Sequence, residues 1–176
     1  EIKECDWSSD VCSSDLFMDW LGQALNKSRR DRQPMALMFI DLDHFKAVND
    51  DFGHGVGDRL LVEAARRIVE SVRDVDTVAR LGGDEFTVIL SDLAHHRDVL
   101  PLAERIRAHL SQPMSLMGHD IQVSACIGIA FHPDDADTSD ELIKKADQAM
   151  YQVKQAGGNG YRLAADDGPP PAPGHR

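Results

Sequence analysis

The run Met35-Ala36-Leu37-Met38-Phe39-Ile40 is continuously apolar and stops on a carboxylate, Asp41. A run of that length reads as a central strand covered on both faces, since an edge or half-exposed strand would alternate apolar and polar residues. One such strand already requires a sheet with helices packed on each side of it. It also leaves a charge where the core ends, and an uncompensated carboxylate there is costly.

A second segment repeats the problem. Residues 80–86, Arg-Leu-Gly-Gly-Asp-Glu-Phe, sit between the strand-like stretches 76–79 and 87–90. Gly82 and Gly83 supply the positive φ angles of a tight hairpin turn. Asp84 and Glu85 then open a second strand whose other residues read as buried.

Elsewhere the periods are regular. Residues 17–30 read as a helix, and helical spacing recurs at Leu61, Ala65, Ile68 and Val72 and at Val99, Ala103, Ile106 and Leu110. Strict alternation from Ile121 through Val123, Ala125, Ile127 and Ile129 to Phe131 predicts one long strand, with Cys126 on its other side. Thr138 and Glu141 form a capping-box pattern before a helix that aligns Ile143, Ala146, Met150 and Val153. Residues 160–163 read as a short closing strand. The predicted order is α-β-α-α-β-β-α-β-β-α-β: α/β of the α+β sandwich type, helices flanking a mixed, largely antiparallel sheet. His95-His96 reads as a solvated helix opening, and Met35 and Met38 as core.

The ends of the chain fit none of this. Residues 1–15, containing Cys5 and Cys12, resemble a translated sequencing-library adapter and are set aside as a scar. Residues 165–176, rich in Pro and Gly, read as a disordered tail, which leaves residues 16–164 as the domain. Three cysteines without metal-ligand spacing suit a reducing cytoplasm. No stretch approaches a membrane span, so membrane contact is not expected of this segment. A formal net charge of −11 argues against nucleic-acid binding, and an acidic protein that handles phosphates needs metal ions.

Two carboxylate-bearing strand ends, one with Asp41 and Asp43 and the other with Asp84 and Glu85, can converge on divalent cations with the oxygen ligation that Mg²⁺ prefers. Such an arrangement suits phosphoryl transfer. Each piece alone also fits something plainer: Asp-x-Asp a turn or helix cap, Gly82-Gly83 a turn, Lys46 a solvated lysine, and Asn49, Asp50, Asp51 and His54 loop residues.

Taken together, Asp-Leu-Asp-His-Phe-Lys at 41–46, Asn-Asp-Asp-Phe-Gly-His-Gly-Val-Gly-Asp at 49–58, Arg-Leu-Gly-Gly-Asp-Glu-Phe at 80–86 and the stretch 146–160 resemble, in order and spacing, the GGDEF family of diguanylate cyclases. The resemblance implies a fold like the nucleotide cyclases and the polymerase palm, and condensation of two GTP into cyclic di-GMP and two pyrophosphates by a homodimer. It implies two Mg²⁺ or Mn²⁺ ions per active site, held by Asp41, Asp84 and the Leu42 carbonyl. Asp84 would accept the proton of the attacking hydroxyl beside its acidic neighbour Glu85, and Lys46 would stabilise phosphate charge. GTP would be bound by Phe45, Lys46, Asn49, His54, Asp58, Gly82, Gly83 and Lys154, with Asn49 and Asp58 reading the guanine edge. Arg73 and Asp76, an R-x-x-D just before the hairpin, resemble the family's product-inhibition site, with Arg105 as a second arginine.

Two departures stand out. The family's usual opening stretch is replaced by the adapter-like residues, and Gly158 stands where a second phosphate-binding cation is usual. A catalytically silent module that binds GTP or cyclic di-GMP as a receptor is therefore the alternative; another purine nucleotide cyclase fits the guanine-reading pair less well.

Overall fold

The computed structural model describes residues 14–166, with side chains from residue 16 onward. The adapter-like stretch up to residue 13 and the tail beyond 166 lie outside the described residues. Helix α1 (Ser14–Asp31) leads into β1 (Met35–Asp43), followed by α2 (Phe45–Phe52), α3 (His54–Ser71), β2 (Thr77–Gly82) and β3 (Glu85–Leu90). A 3₁₀ turn (His96–Asp98) precedes α4 (Val99–Leu110), β4 (Met114–Leu116), β5 (His119–Ile121), β6 (Ser124–His132), α5 (Ser139–Gln155) and β7 (Gly160–Leu163). No helix among the described residues is long and apolar enough to cross a membrane.

The main sheet has the order β2-β3-β1-β6-β7. Every pairing is antiparallel except the parallel β6–β7. β1 lies at its centre, as its unbroken apolar run requires. Its alternate side chains divide between two cores: Ala36, Met38, Ile40 and Leu42 pack with α3 and α4, whereas Met35, Leu37 and Phe39 pack with α1 and α5. Burial of each large apolar side chain contributes about 1.5–3 kcal/mol, so a one-residue slip of β1 would exchange both cores and is strongly disfavoured.

The long strand predicted from Ile121 to Phe131 is two strands. β5 pairs with β4 in a separate small hairpin, and β6 starts at Ser124 opposite Asp43 of β1. Alternation survives the break because Ile121, Val123 and Ala125 all still face the same core. Three strands therefore separate α4 from α5, where two were expected. His95 is exposed as expected, and His96 is half-exposed, with its ring stacked on Phe131 at 4.3 Å and its Nδ1 3.1 Å from Asp134. Thr138 caps α5 as predicted, accepting from the Glu141 backbone N–H at 3.3 Å.

Helix α5 approaches β6 over a row of small residues, Cys126, Gly128 and Ala130. A Cβ on Gly128 would stand 2.0 Å from the Ala146 carbonyl oxygen and 2.3 Å from the Met150 nitrogen. These are backbone atoms of a helix and cannot turn aside. Gly128→Ala is therefore expected to lower unfolding stability by about 3 kcal/mol or more, by displacing α5 from the sheet. Urea denaturation with an unchanged slope and a lower midpoint is the outcome to look for; an unchanged midpoint would show that α5 does not rest on this contact.

Candidate active site

Because β1 is flanked by β3 and β6, its C-terminal end meets the β2–β3 turn on one side and the end of α5 on the other. Asp41 sits opposite Glu85 in the β1–β3 ladder, and the Leu42 N–H donates to the Asp84 carbonyl at 3.4 Å. The turn that presents Asp84 needs its glycines: Gly82 and Gly83 have φ of 149° and 51°, with open space where their side chains would be. Arg80 Nε donates to the Gly83 carbonyl at 2.8 Å and fixes the turn from below.

Asp41 is 4% exposed, and its Oδ1 is buried without a hydrogen-bond partner. Its Oδ2 is ion-paired with Lys154 Nζ, which arrives from the last turn of α5. Burial, followed by the adjoining Asp84 carboxyl, pushes the Asp41 pKa up to about 7 despite Lys154. For Lys154, burial alone would lower the pKa, but the Asp41 carboxylate more than offsets it and holds it raised. Glu85 is likewise raised, by burial and then by Asp147 and Asp84. Asp147 had no role in the sequence reading; its position on α5 brings it within the field of the hairpin.

These residues fit a hard divalent cation. An orphaned carboxylate oxygen beside a second carboxylate is an acceptor pair that a cation satisfies and a proton only half satisfies. Among the described residues no group of three or more His, Cys, Asp or Glu side chains forms a full cage. Two carboxylates plus a carbonyl suit Mg²⁺, which keeps several waters and leans on substrate phosphates for the rest.

Beside this cluster, α2 and α3 meet at Gly53, whose φ is 90°. Phe45 opens α2 and packs on the core, while Lys46 is exposed on the same helix. The Asn49 side chain lies over Gly57, where a Cβ would come within 1.8 Å of Asn49 Oδ1. His54 and Asp58, both exposed, belong to the first turns of α3. The expected nucleotide-binding residues therefore fall into two neighbouring groups, one at the strand ends and one at the α2–α3 junction. Gly57, needed for the close approach of Asn49, went unnoticed in the sequence.

The remaining three residues lie apart, at the other end of the hairpin. Arg73 donates from Nε and Nη2 to both oxygens of Asp76, at 3.0 and 2.7 Å, and from Nη2 to the Ser91 carbonyl at 2.7 Å. The Asp76 side chain is fully buried, so it serves as the brace of Arg73 rather than as an open acceptor. Arg105, exposed on α4, donates to the Ser71 carbonyl at 3.3 Å, so both arginines gather at the C-terminal end of α3.

A family model described as "Diguanylate cyclase, GGDEF domain" matches residues 5–160. The bifunctional diguanylate cyclase/cyclic di-GMP phosphodiesterase MucR of Pseudomonas aeruginosa is 49% identical over 146 residues, 83% of this chain and 21% of that protein. Diguanylate cyclase TpbB of the same organism is 43% identical over 150 residues, 85% of this chain and 34% of that protein. The chain thus spans about a third or less of the length of these curated relatives. The solved GGDEF domain of TpbB superposes with a TM-score of 0.86 at 41% identity, covering 90% of this chain and 92% of that one. The GGDEF domain of DgcB from Caulobacter crescentus, solved in complex with cyclic di-GMP, gives 0.81 at 25% identity, covering 93% and 99%.

The raised pKa of Asp41 has a consequence for stability. Its folded value of about 7 lies above the ordinary 3.8, so its contribution is present below about pH 4 and is lost as pH rises through about 7. In metal-free buffer Asp41→Asn should therefore match the parent near pH 4 and exceed it at about pH 8 by roughly 1–3 kcal/mol. Thermal melts at the two pH values check this. A variant less stable than the parent at the higher pH would mean that the Lys154 pair outweighs burial.

Proposed function

The chain belongs to the GGDEF family of diguanylate cyclase domains, and on that premise we propose that it condenses two GTP molecules into cyclic di-GMP with release of two pyrophosphates. The observation that carries the proposal is the Asp41–Asp84 carboxylate pair, one oxygen of it unpartnered, under an open glycine turn and beside Lys154. The cytoplasm is the proposed setting, where GTP and Mg²⁺ are available, with nucleic acid and membrane outside its contacts.

Asp41, Asp84 and the Leu42 carbonyl would hold the metal ions, Mg²⁺ or Mn²⁺, two per site. When bound, the ions supply positive charge to the phosphates and lower the pKa of the attacking hydroxyl. Asp84 takes that proton, with Glu85 as its acidic neighbour. Gly82 and Gly83 let the triphosphate lie against the backbone. Lys154 and Lys46 stabilise charge on the phosphates during transfer. Asn49 and Asp58 read the guanine edge, a carboxylate accepting from N1–H and N2–H₂, a donor pair adenine lacks. Phe45 backs the same junction from the core side, and His54 flanks the nucleotide. Each domain holds one such site, so a homodimer must bring each 3′-hydroxyl in line with the partner's α-phosphate.

The receptor reading retains one observation, Gly158 in place of a basic residue. Purified protein incubated with GTP and Mg²⁺, with products separated by chromatography, decides between them: cyclic di-GMP and pyrophosphate are expected. Asp41→Ala and Asp84→Ala should each abolish product while remaining folded. Bound GTP without product in the parent would establish the receptor, and turnover by either variant at saturating Mg²⁺ would overturn the metal assignment.

Product inhibition is proposed at Arg73 and Arg105, whose guanidinium groups can each bind guanine O6 and N7. Asp76, buried beneath it, braces Arg73 and holds its guanidinium in place for the ligand. Since Arg73→Ala would strand the buried Asp76, Arg105→Ala is the cleaner variant. It should keep full initial rates but give progress curves that flatten later than the parent's. Identical flattening, with GTP still abundant, would remove Arg105 from the inhibitory site.

A further inference from the structure

Asp43 ends β1 two residues beyond Asp41, so both side chains leave the same face of the strand. The chemistry proposed above does not use it, yet three donors hold it. Its Oδ2 accepts from Ser124 Oγ at 2.6 Å and from the Asn159 backbone N–H at 2.9 Å, and its Oδ1 accepts from Cys126 Sγ at 2.9 Å. Asn159 is fixed in turn: its Oδ1 accepts from Arg107 Nη1 at 2.8 Å and from Ser111 Oγ at 3.4 Å. Arg107 is itself clamped by both oxygens of Glu104. One carboxylate thereby joins the end of β1, the start of β6, the turn after α5 and, through Asn159, helix α4.

The turn so anchored closes the helix that carries Lys154. The Gly157 N–H donates to the Lys154 carbonyl at 3.1 Å and the Gly158 N–H to the Val153 carbonyl at 2.9 Å. The last turn of α5 and residues 157–159 are therefore one hydrogen-bonded unit, and pinning Asn159 fixes the direction in which Lys154 projects. The same clamp excludes a side chain at Gly158. A Cβ there would stand 2.8 Å from Asp43 Oδ2 and 3.1 Å from its Cγ, at a φ of 79° that already disfavours any other residue. A carboxylate held by three donors cannot swing aside.

We propose that Asp43 and Asn159 are positioning residues: their clamp sets Lys154 against the nucleotide's phosphates. The proposal rests on the GTP reading above and deepens it. Neither residue touches substrate. Both act through the placement of one ammonium group.

The test measures calorimetric affinity for a non-hydrolysable GTP analogue with Mg²⁺, together with melting temperature. Asp43→Ala should weaken analogue binding about tenfold or more. Its preference for the GTP analogue over the ATP analogue should stay unchanged, because Asn49 and Asp58 lie on other elements. Asp43→Asn, which keeps an acceptor for Ser124 and Asn159, should recover most of the affinity. Gly158→Arg should lower the melting temperature in the parent but much less in the Asp43→Ala background, where the Cβ has room. If Asp43→Ala does not fold, Asn159→Ala carries the test: it keeps the backbone bond to Asp43, cuts the tie to Arg107, and should weaken binding at a near-parental melting temperature. Variants that bind as tightly as a binding-competent parent would overturn the clamp alone. A parent that binds no analogue would overturn the clamp and the GTP reading together.

Discussion

A carboxylate buried at the end of a strand covered on both faces is the constraint on which the rest of this structure depends. Asp41 is carried there by the apolar run before it, which cannot be placed anywhere but the centre of the sheet. Ionised and unpaired, such a group costs more than a domain of this size easily tolerates. Lys154 from α5 compensates it in part, whereas Asp84 from the hairpin worsens the charge rather than relieving it. A fold selected for stability alone would have no reason to bring a second carboxylate. The pair makes sense when a cation completes it, so the strain is local, and the site gives a cation what the protein itself withholds.

The distribution of positive charge follows the same logic. With a formal net charge of −11, the chain repels phosphate at long range, and its field alone would not gather nucleotides. The cations that remain near the candidate site are few and individually aimed. Lys154 is partly buried against Asp41, which lowers its freedom and holds it charged; Lys46 stands exposed on α2. Several of the other arginines serve the fold. Arg67, buried, donates to the carbonyls of His109, Gln112 and Pro113 and so binds α3 to the last turn of α4 and the chain just after it. Arg107 holds Asn159.

What could be read from the sequence follows the range of the interactions. β1, the glycine turn, and the buried faces of α3, α4 and α5 were legible because each is a periodic pattern within a single segment. The break between β5 and β6 was not, since alternation runs through Gln122 and Val123 unchanged while only the hydrogen-bonding partner switches. His96 looked like a solvated pair member because its stacking partner, Phe131, lies on another strand. The carboxylates were legible as strand-end charges; Lys154 entered only through family resemblance, as a phosphate-binding residue, and its contact with Asp41 had no signal in the sequence. Asp43 was noticed only as a second carboxylate. Its three donors come from residues 81 to 116 positions away, and neither the clamp nor the need for glycine at 158 leaves a mark in any one stretch. Gly57 and Gly128 are legible as glycines, yet what forbids a side chain at each is a neighbour that only the fold supplies.

The hairpin connects two regions with different mechanical characters, and this bears on how a ligand at Arg73 would act. At the base, Arg73 ties Asp76, just before β2, to the Ser91 carbonyl, just after β3, so the two strands are held together by one guanidinium. At the tip, about 20 Å away along six residues of strand, the glycines are exposed and the register shifts between Arg80 and Gly82. Small displacements at the base would have to cross that irregularity to reach Asp84. They would also have to move β3 against β1, where Phe86, Val88 and Leu90 are wholly buried in a close-packed core that resists continuous deformation. Transmission of strain along the strands is therefore the weaker route. In the inhibition proposed above, a ligand that drew guanidinium groups from two domains around itself would need no such transmission: it would act by fixing where one domain stands relative to another, and would leave the geometry of each carboxylate pair as it was.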